Sequence, residues 1–419
     1  WIRGIVSILL AAVLLASLQR LVMPKYTSGI IEGGYIQEYY KEKNPHQVLM
    51  IGDCEVYENF SPVRMWRDHG ITSYIRGSAQ QLTWQSYYLL KETLRYETPE
   101  VVVFNVLALK YNEPQKEEYN RMTLDGMKWS GDKAASINAS MLEEESFVDY
   151  LFPILRYHSR ITELEKDDLT YYLKDKQRTT AGYYMRVDVD PYLGDLSGDD
   201  EGPTDDGTVT DSSGNSVEDE EWFQDIWGDD TEDTDDTDRD DSDDTEDADI
   251  DGNDSDDTED ADADSESEDT EEAWFEDEEF WEESDAPEDE KPENMQLGAY
   301  AMEYLDKIRQ LCEEKGIPLL LIKAPSLSPV WYDEWDDQVK EYADRNKLNY
   351  INFLDLIDEI GIDFTTDTYD QGLHMNLSGA EKCAGYLGDY LVKNYGLKDL
   401  SGDSAISADW KEKEQFSED

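Results

Sequence analysis

Cys54 and His374 are the residues of this chain whose types could do nucleophilic chemistry together. Cys54 follows the run Val48-Leu-Met-Ile51, four apolar residues without alternation, then Gly52 and Asp53. An unbroken apolar run of this kind suits a strand buried on both faces, as in a parallel sheet. Gly52 lets the chain turn sharply at the carboxyl end of that strand, where open α/β sheets place their ligands. A thiol there is presented rather than packed, although a lone cysteine is more often a small buried side chain. Near the other end, Asp370-Gln-Gly-Leu-His374-Met-Asn376-Leu-Ser-Gly379 puts a carboxylate and an imidazole close together before a helix. A nucleophile early and an acid–base pair late form a triad only when the fold brings them together.

The elements that must do this are readable. Strands are expected at Gln47–Gly52, Ile71–Ile75, Val101–Val106, Ile317–Ile322 and Leu348–Phe353, with helices at Gln80–Tyr96, Met295–Lys315, Asp333–Asn346 and Ser378–Asn394. Residues 55–70 read as a loop and short helix, and 113–185 as helical and aromatic-rich. Strand, helix and strand at these spacings are βαβ units, hence an α/β chain with a parallel sheet. Cys312 and Cys383 sit on helix faces among apolar neighbours and read as core, and His69 and His158 as surface or packing residues. Trp331 and Trp335 either line a sugar cleft or simply pack.

The 419 residues carry a formal net charge of -65. Residues 201–300 hold 47 Asp and Glu against Arg239 and Lys291, so one segment supplies most of the acidity. A field of this sign argues against nucleic acid as a partner. Three widely spaced cysteines make no disulfide framework, and no residue cluster demands a metal or cofactor. Residues 188–293 read as a disordered acidic insertion, with too little apolar surface to offset chain entropy, and DSDDTEDAD occurs at 241–249 and again at 254–262. Two aromatic islands, Glu221–Trp227 and Ala273–Trp281, bracket those repeats and suit docking on a partner groove or collapse onto the chain itself. Asp247, Asp249, Asp251 and Gly252 imitate the opening of a calcium loop, but Asp254 and Thr258 break the pattern. Gly4 to Met23 is about one bilayer's worth of apolar helix. Residues 1–24 are expected to be a membrane signal-anchor, a cleaved signal peptide being the alternative. The domain then divides into 25–187 and 294–396, with 397–419 a polar, frayed tail.

Gly52-Asp53-Cys54 after the first strand, Gly77 after the second, and the Asp–His pair before the last helix resemble the SGNH/GDSL hydrolase family. More narrowly they resemble its membrane-anchored extracellular branches in bacteria, relatives of proteins that handle acyl groups on cell-wall polymers and exopolysaccharides. The resemblance covers residues 45–112 and 317–395, and implies a flavodoxin-like three-layer sandwich interrupted by the insertion. It implies Cys54 as nucleophile, His374 as general base and Asp370 as the group orienting the imidazole. The backbone N–H groups of Cys54 and Gly77 are the implied oxyanion donors. The chain departs from the family in three places. Cys54 replaces the usual serine. The asparagine expected past the third strand is missing from Leu107-Ala-Leu-Lys110, leaving Asn105 or Asn112 as candidates for the oxyanion hole. Asp370 lies four residues before His374 rather than three, and Asp367 competes with it.

Two functions of different class follow. One is an extracytoplasmic acyl-ester hydrolase or O-acyltransferase acting on a cell-surface glycan. Relatives of that kind often receive the acyl group from a second membrane protein. The other is a catalytically inactive binding or assembly protein of the same fold, with the acidic segment as its interaction arm. Reactivity of Cys54 separates them.

Overall fold

The computed structural model describes residues 1–24, 35–114, 116–164, 166, 168–170, 179–194, 291–292 and 294–417. The expected disordered insertion, its aromatic islands and its calcium-loop imitation lie outside these residues, apart from the ends of the 188–293 range. The described residues form five parallel strands, β1 (Val48–Gly52), β2 (Ser73–Gly77), β3 (Val101–Asn105), β4 (Leu319–Lys323) and β5 (Asn349–Asn352), in the order β2-β1-β3-β4-β5. The register is fixed by pairs such as Gly52 with Gly77, Ile51 with Phe104, Asn105 with Ile322 and Lys323 with Asn352.

The helices used below are α1 (Ile2–Val22), α2 (Cys54–Asn59), α3 (Pro62–His69), α4 (Thr83–Thr93), α5 (Ala299–Lys315), α6 (Asp333–Asn346), α7 (Leu377–Tyr395) and α8 (Ser404–Phe416). Alternate strand residues supply two cores. Val48, Met50, Val101, Val103, Leu320 and Ile322 point to one face, which α2, α3 and α7 cover with Val56, Met65, Cys383 and Leu387. Leu49, Ile51, Val102, Phe104, Leu319 and Leu321 point to the other, covered by α4, α5 and α6 through Leu90, Ile308, Cys312 and Val339. Helices on both faces of an all-parallel sheet make a three-layer α/β sandwich.

Local chemistry sets the ends of these elements. Asn376 accepts hydrogen bonds from the backbone N–H groups of Ser378 and Gly379 (3.0 and 3.3 Å) and so caps α7. Ser61 caps α3 in the same way, with Pro62 at its first position. α1 is long and apolar enough to cross a membrane, and a signal sequence meets the same description.

Two expectations require correction. The second strand runs two residues later than expected, because the buried Arg76 looked like its end. Its guanidinium is held by Glu92 (3.1 Å) and Thr93 (3.0 Å) and lies 4.4 Å over the Tyr39 ring, so the strand carries a charge inside the fold. The expected frayed tail at 397–419 contains α8, which Asp403 caps. Its Trp410 is buried and stacks on Trp66 of α3 with ring centroids 5.3 Å apart. One aromatic anchor fixes a helix that composition alone reads as solvated.

Candidate active site

Cys54 is the first residue of α2, just past the carboxyl end of β1, and β1 lies between β2 and β3. The chain leaves β1 at the point where the strand order reverses, which is where open α/β sheets form a crevice. The turn is tight. A Cβ on Gly52 would come within 2.4 Å of Val56 Cγ2 and 2.8 Å of Asn105 Cβ, so only glycine fits between α2 and β3. Gly77 faces the same turn: a Cβ there would meet the carbonyl oxygens of Gly52 and Asp53 at 3.1 and 3.3 Å.

His374 arrives from the loop before α7 and is fully buried. Its Nδ1 lies 2.6 Å from Asp370 Oδ2, and its backbone N–H donates to Asp370 Oδ1 at 2.6 Å. One carboxylate therefore sets both the ring tautomer and the backbone, with the proton on Nδ1. The imidazole lies near enough to the Cys54 thiol to act on it electrostatically. Cys54, His374 and Asp370 thus lie in one neighbourhood, Cys54 and His374 coming together across 320 residues of sequence. Asp367 takes a different part. It accepts from Ser378 Oγ (2.7 Å), Lys382 Nζ (2.5 Å) and the Asp363 N–H (2.7 Å), holding the start of α7.

The loop is tethered to the nucleophile's own helix. Asn59 Oδ1 accepts the Met375 N–H at 2.7 Å, while its amide donates to Ser326 Oγ at 2.9 Å. Asn59 therefore joins α2, the His374 loop and the loop after β4. Glu58, one turn along α2 from Cys54, is buried with Oε2 3.9 Å from His374 Nδ1. It accepts the Tyr369 hydroxyl hydrogen bond, and the Tyr369 ring stacks on His374 with centroids 6.0 Å apart. Glu58 and Asn59 were not expected from sequence. In Tyr57-Glu-Asn-Phe60 they look like the polar positions of a surface helix, and no local pattern signals that this helix end is covered.

Asn105 does not present an amide to Cys54. Its Nδ2 donates to Asp53 Oδ1 (3.0 Å) and Glu55 Oε2 (2.8 Å), which uses both amide hydrogens, and its Oδ1 accepts the Ala324 N–H (3.1 Å). Lys323 Nζ completes this buried cluster, donating to Glu55 Oε1 at 2.7 Å and to the Ala324 carbonyl at 2.8 Å. The cluster locks together the carboxyl ends of β1, β3 and β4. Asn112 is also engaged elsewhere, accepting the Tyr300 N–H at the start of α5 (2.8 Å). Of the expected oxyanion groups, both asparagines are committed to structure, and the Gly77 backbone adjoins the Gly52–Asp53 turn that leads into Cys54.

The electrostatics follow from burial. Burial pushes the Cys54 thiol up, and the neighbouring His374 pulls it part of the way back. Burial opposes the charged form of His374, yet Glu58, Cys54 and Asp370 together hold it well above the usual imidazole range. Burial likewise raises Glu58. Asp53 is pushed up to about 7 by burial and by Glu55 beside it, and burial lowers Lys110 to about 8. The resting site thus favours a protonated imidazole beside a neutral thiol.

The remaining expected residues settle as packing. Cys312 and Cys383 are buried and all three cysteines are free. Trp331 and Trp335 are buried against each other with centroids 5.6 Å apart, and Trp331 Nε1 donates to Asp336. His69 lies 3.4 Å from Asp389, and His158 is exposed. Among the described residues no His, Cys, Asp or Glu cluster could hold a metal ion. No family model, curated protein or solved structure matches this chain.

Proposed function

We propose that this chain is a membrane-anchored, extracytoplasmic acyl-ester enzyme of SGNH-like fold, a hydrolase or O-acyltransferase acting on a cell-surface glycan. The observation that carries the reading is His374, held by Asp370 at 2.6 Å, lying in the neighbourhood of Cys54 at the switch point of a parallel sheet ordered 2-1-3-4-5. Once the raised His374 imidazolium has given a proton to solvent, the neutral Nε2 takes the thiol proton as sulfur bonds to the ester carbonyl carbon, and the carbonyl π electrons move to oxygen. The backbone N–H groups of Cys54 and Gly77 receive that negative charge. Collapse breaks the carbon–oxygen bond, and His374 returns the proton to the departing alkoxide. A thioester remains on Cys54. Water or a sugar hydroxyl, deprotonated by His374, then takes the acyl group and restores the thiol. Asp370 keeps the proton on Nδ1 throughout, so that only Nε2 exchanges protons with the reaction.

A second reading, a non-catalytic binding or assembly protein, is favoured by the high thiol and by the commitment of Asn105 to the buried cluster. One experiment divides the two. The full chain in detergent is exposed to a small activated acetyl ester from pH 6 to 10, and the intact mass of each cysteine-bearing peptide is followed beside His374→Ala and Cys54→Ala. The enzymatic reading expects an acetyl thioester on Cys54, forming faster as pH rises and nearly absent without His374. A Cys54 that acetylates no faster than Cys312, or equally well without His374, would falsify it.

A further inference from the structure

α1 meets the rest of the fold only near its last turn. Ile2, Ile5, Ile8, Leu9, Leu10, Val13 and Leu14 are exposed, whereas Val22 is fully buried. There Arg160 Nη1 donates to the Val22 carbonyl at 2.6 Å, and Ile154–Thr162 packs on α1. The same stretch carries large apolar side chains that nothing described covers. Val148, Leu151, Phe152, Leu155 and Ile161 are 36–52% exposed, although Tyr150 and Tyr157 between them are buried and anchor the segment to the fold. Exposed apolar side chains gathered on one anchored segment mark a contact surface rather than scattered exceptions. The segment 147–164 is also charge-balanced, with Asp149 and Glu163 against Arg156 and Arg160. Both arginines are answered inside the fold, Arg156 by Glu117 at 3.0 Å and Arg160 by Asp168 at 3.3 Å.

We propose that Val148–Ile161 is a membrane-contact surface, seating the α/β fold on the bilayer interface from which α1 emerges. The occupant follows from continuity. If α1 is the anchor, its last turn ends at the lipid headgroups, and the residues packed against that turn lie at the same depth. Both arginines of the segment are paired within the fold, so its contact depends on apolar side chains entering the interface and zwitterionic lipid suffices. The effect would hold the Cys54 crevice at a set height above the membrane, instead of on a free tether.

The test uses the full chain with Cys54→Ser, reconstituted into phosphatidylcholine vesicles. A nitroxide is attached at Leu151→Cys, at Leu155→Cys, or at Lys393→Cys on the opposite side of the sheet. The buried Cys312 and Cys383 stay unlabelled. The readout is each label's accessibility to oxygen against a water-soluble nickel chelate. The expected oxygen-to-nickel ratio at 151 and 155 is several-fold that at 393, and insensitive to salt. Labels at 151 and 155 that resemble the one at 393 would overturn the proposal. So would labels shielded from both probes, which means a second copy or another protein covers the segment, and so would release of the chain by alkaline carbonate.

Discussion

β1 runs between two buried histidines, and they are built from the same parts. His46 precedes its amino end, and His374 meets Cys54 at its carboxyl end; each ring is flanked by two carboxylates. His46 Nδ1 lies 3.1 Å from Glu97 and its Nε2 3.4 Å from Glu42. Its backbone N–H also donates to Glu97 (2.7 Å), and Lys413 of α8 donates to Glu42 (2.9 Å). Both ring nitrogens are consumed by carboxylates, so this histidine is a closed ionic joint. At His374 the second carboxylate, Glu58, stands on the same side as the first, 3.9 Å from Nδ1. The carboxylates of His374 thus gather at one ring nitrogen, whereas those of His46 occupy both. The lesson is that burial and acidic neighbours are common to both histidines, and the placement of the second acid is what differs between them.

The sharpest way to break this comparison is to remove each ring. His374→Ala should lower thioester formation at Cys54 by roughly 10²- to 10⁴-fold, whereas His46→Ala should leave it within a few-fold in the fraction that folds. Equal losses in a stopped-flow acetylation assay would sink the distinction. Stability should respond the other way. Glu97→Gln, which opens one side of the closed joint, should cost about 3 kcal/mol in urea unfolding, while Asp370→Asn, in a site already open to sulfur, should cost less than half of that.

The pH dependence sharpens the same contrast. Burial opposes the charge on His46, but its contacts with Glu42 and Glu97 dominate and raise it to about 9. A histidine raised on folding contributes stability that is fully present below its unfolded value near 6.5 and is lost as pH rises through about 9. The loss should be on the order of 3 kcal/mol between those limits, read as a falling melting temperature, and His46→Gln should flatten that slope. A slope unchanged in the variant would assign the effect elsewhere. The smallest expected effect belongs to Glu58→Gln. Removing that negative neighbour makes the His374 imidazolium easier to deprotonate, so the acid limb of the acetylation profile should move to lower pH by roughly one unit. Movement to higher pH would mean that Glu58 does not act on His374 by charge.

Much of the arrangement was legible in sequence because the candidate groups sit where short patterns end. Cys54 follows an apolar run and a glycine; His374 and Asp370 precede a capped helix. The parallel sheet was legible for the same reason, since strands buried on both faces leave unbroken apolar runs. What sequence hid were residues whose role is set by distant chain. Glu58 and Asn59 become site residues only when the 369–376 loop lands on them. Arg76 disguised the end of β2 because its partners lie on α4 and beside Tyr39. Trp410 turned a polar tail into a docked helix through one stacked contact with Trp66. Asn105 shows the converse: its type suited an oxyanion donor, and only the buried Asp53 and Glu55 reveal where its hydrogens go.

The pairing of β3 with β4 joins Val102 to Leu319, and the site itself joins Cys54 to His374. This has a consequence in time. A ribosome adds about 5–20 residues each second, so Cys54 is made on the order of half a minute before the histidine that answers it. Until Leu319–Lys323 is made, β1, β2 and β3 exist without the strand that completes their edge, and Cys54 waits about fifty residues longer for His374. A newly made copy therefore carries the thiol alone until residue 374 is added. Its exposed β3 edge in the meantime is the stretch that most needs protection from other chains.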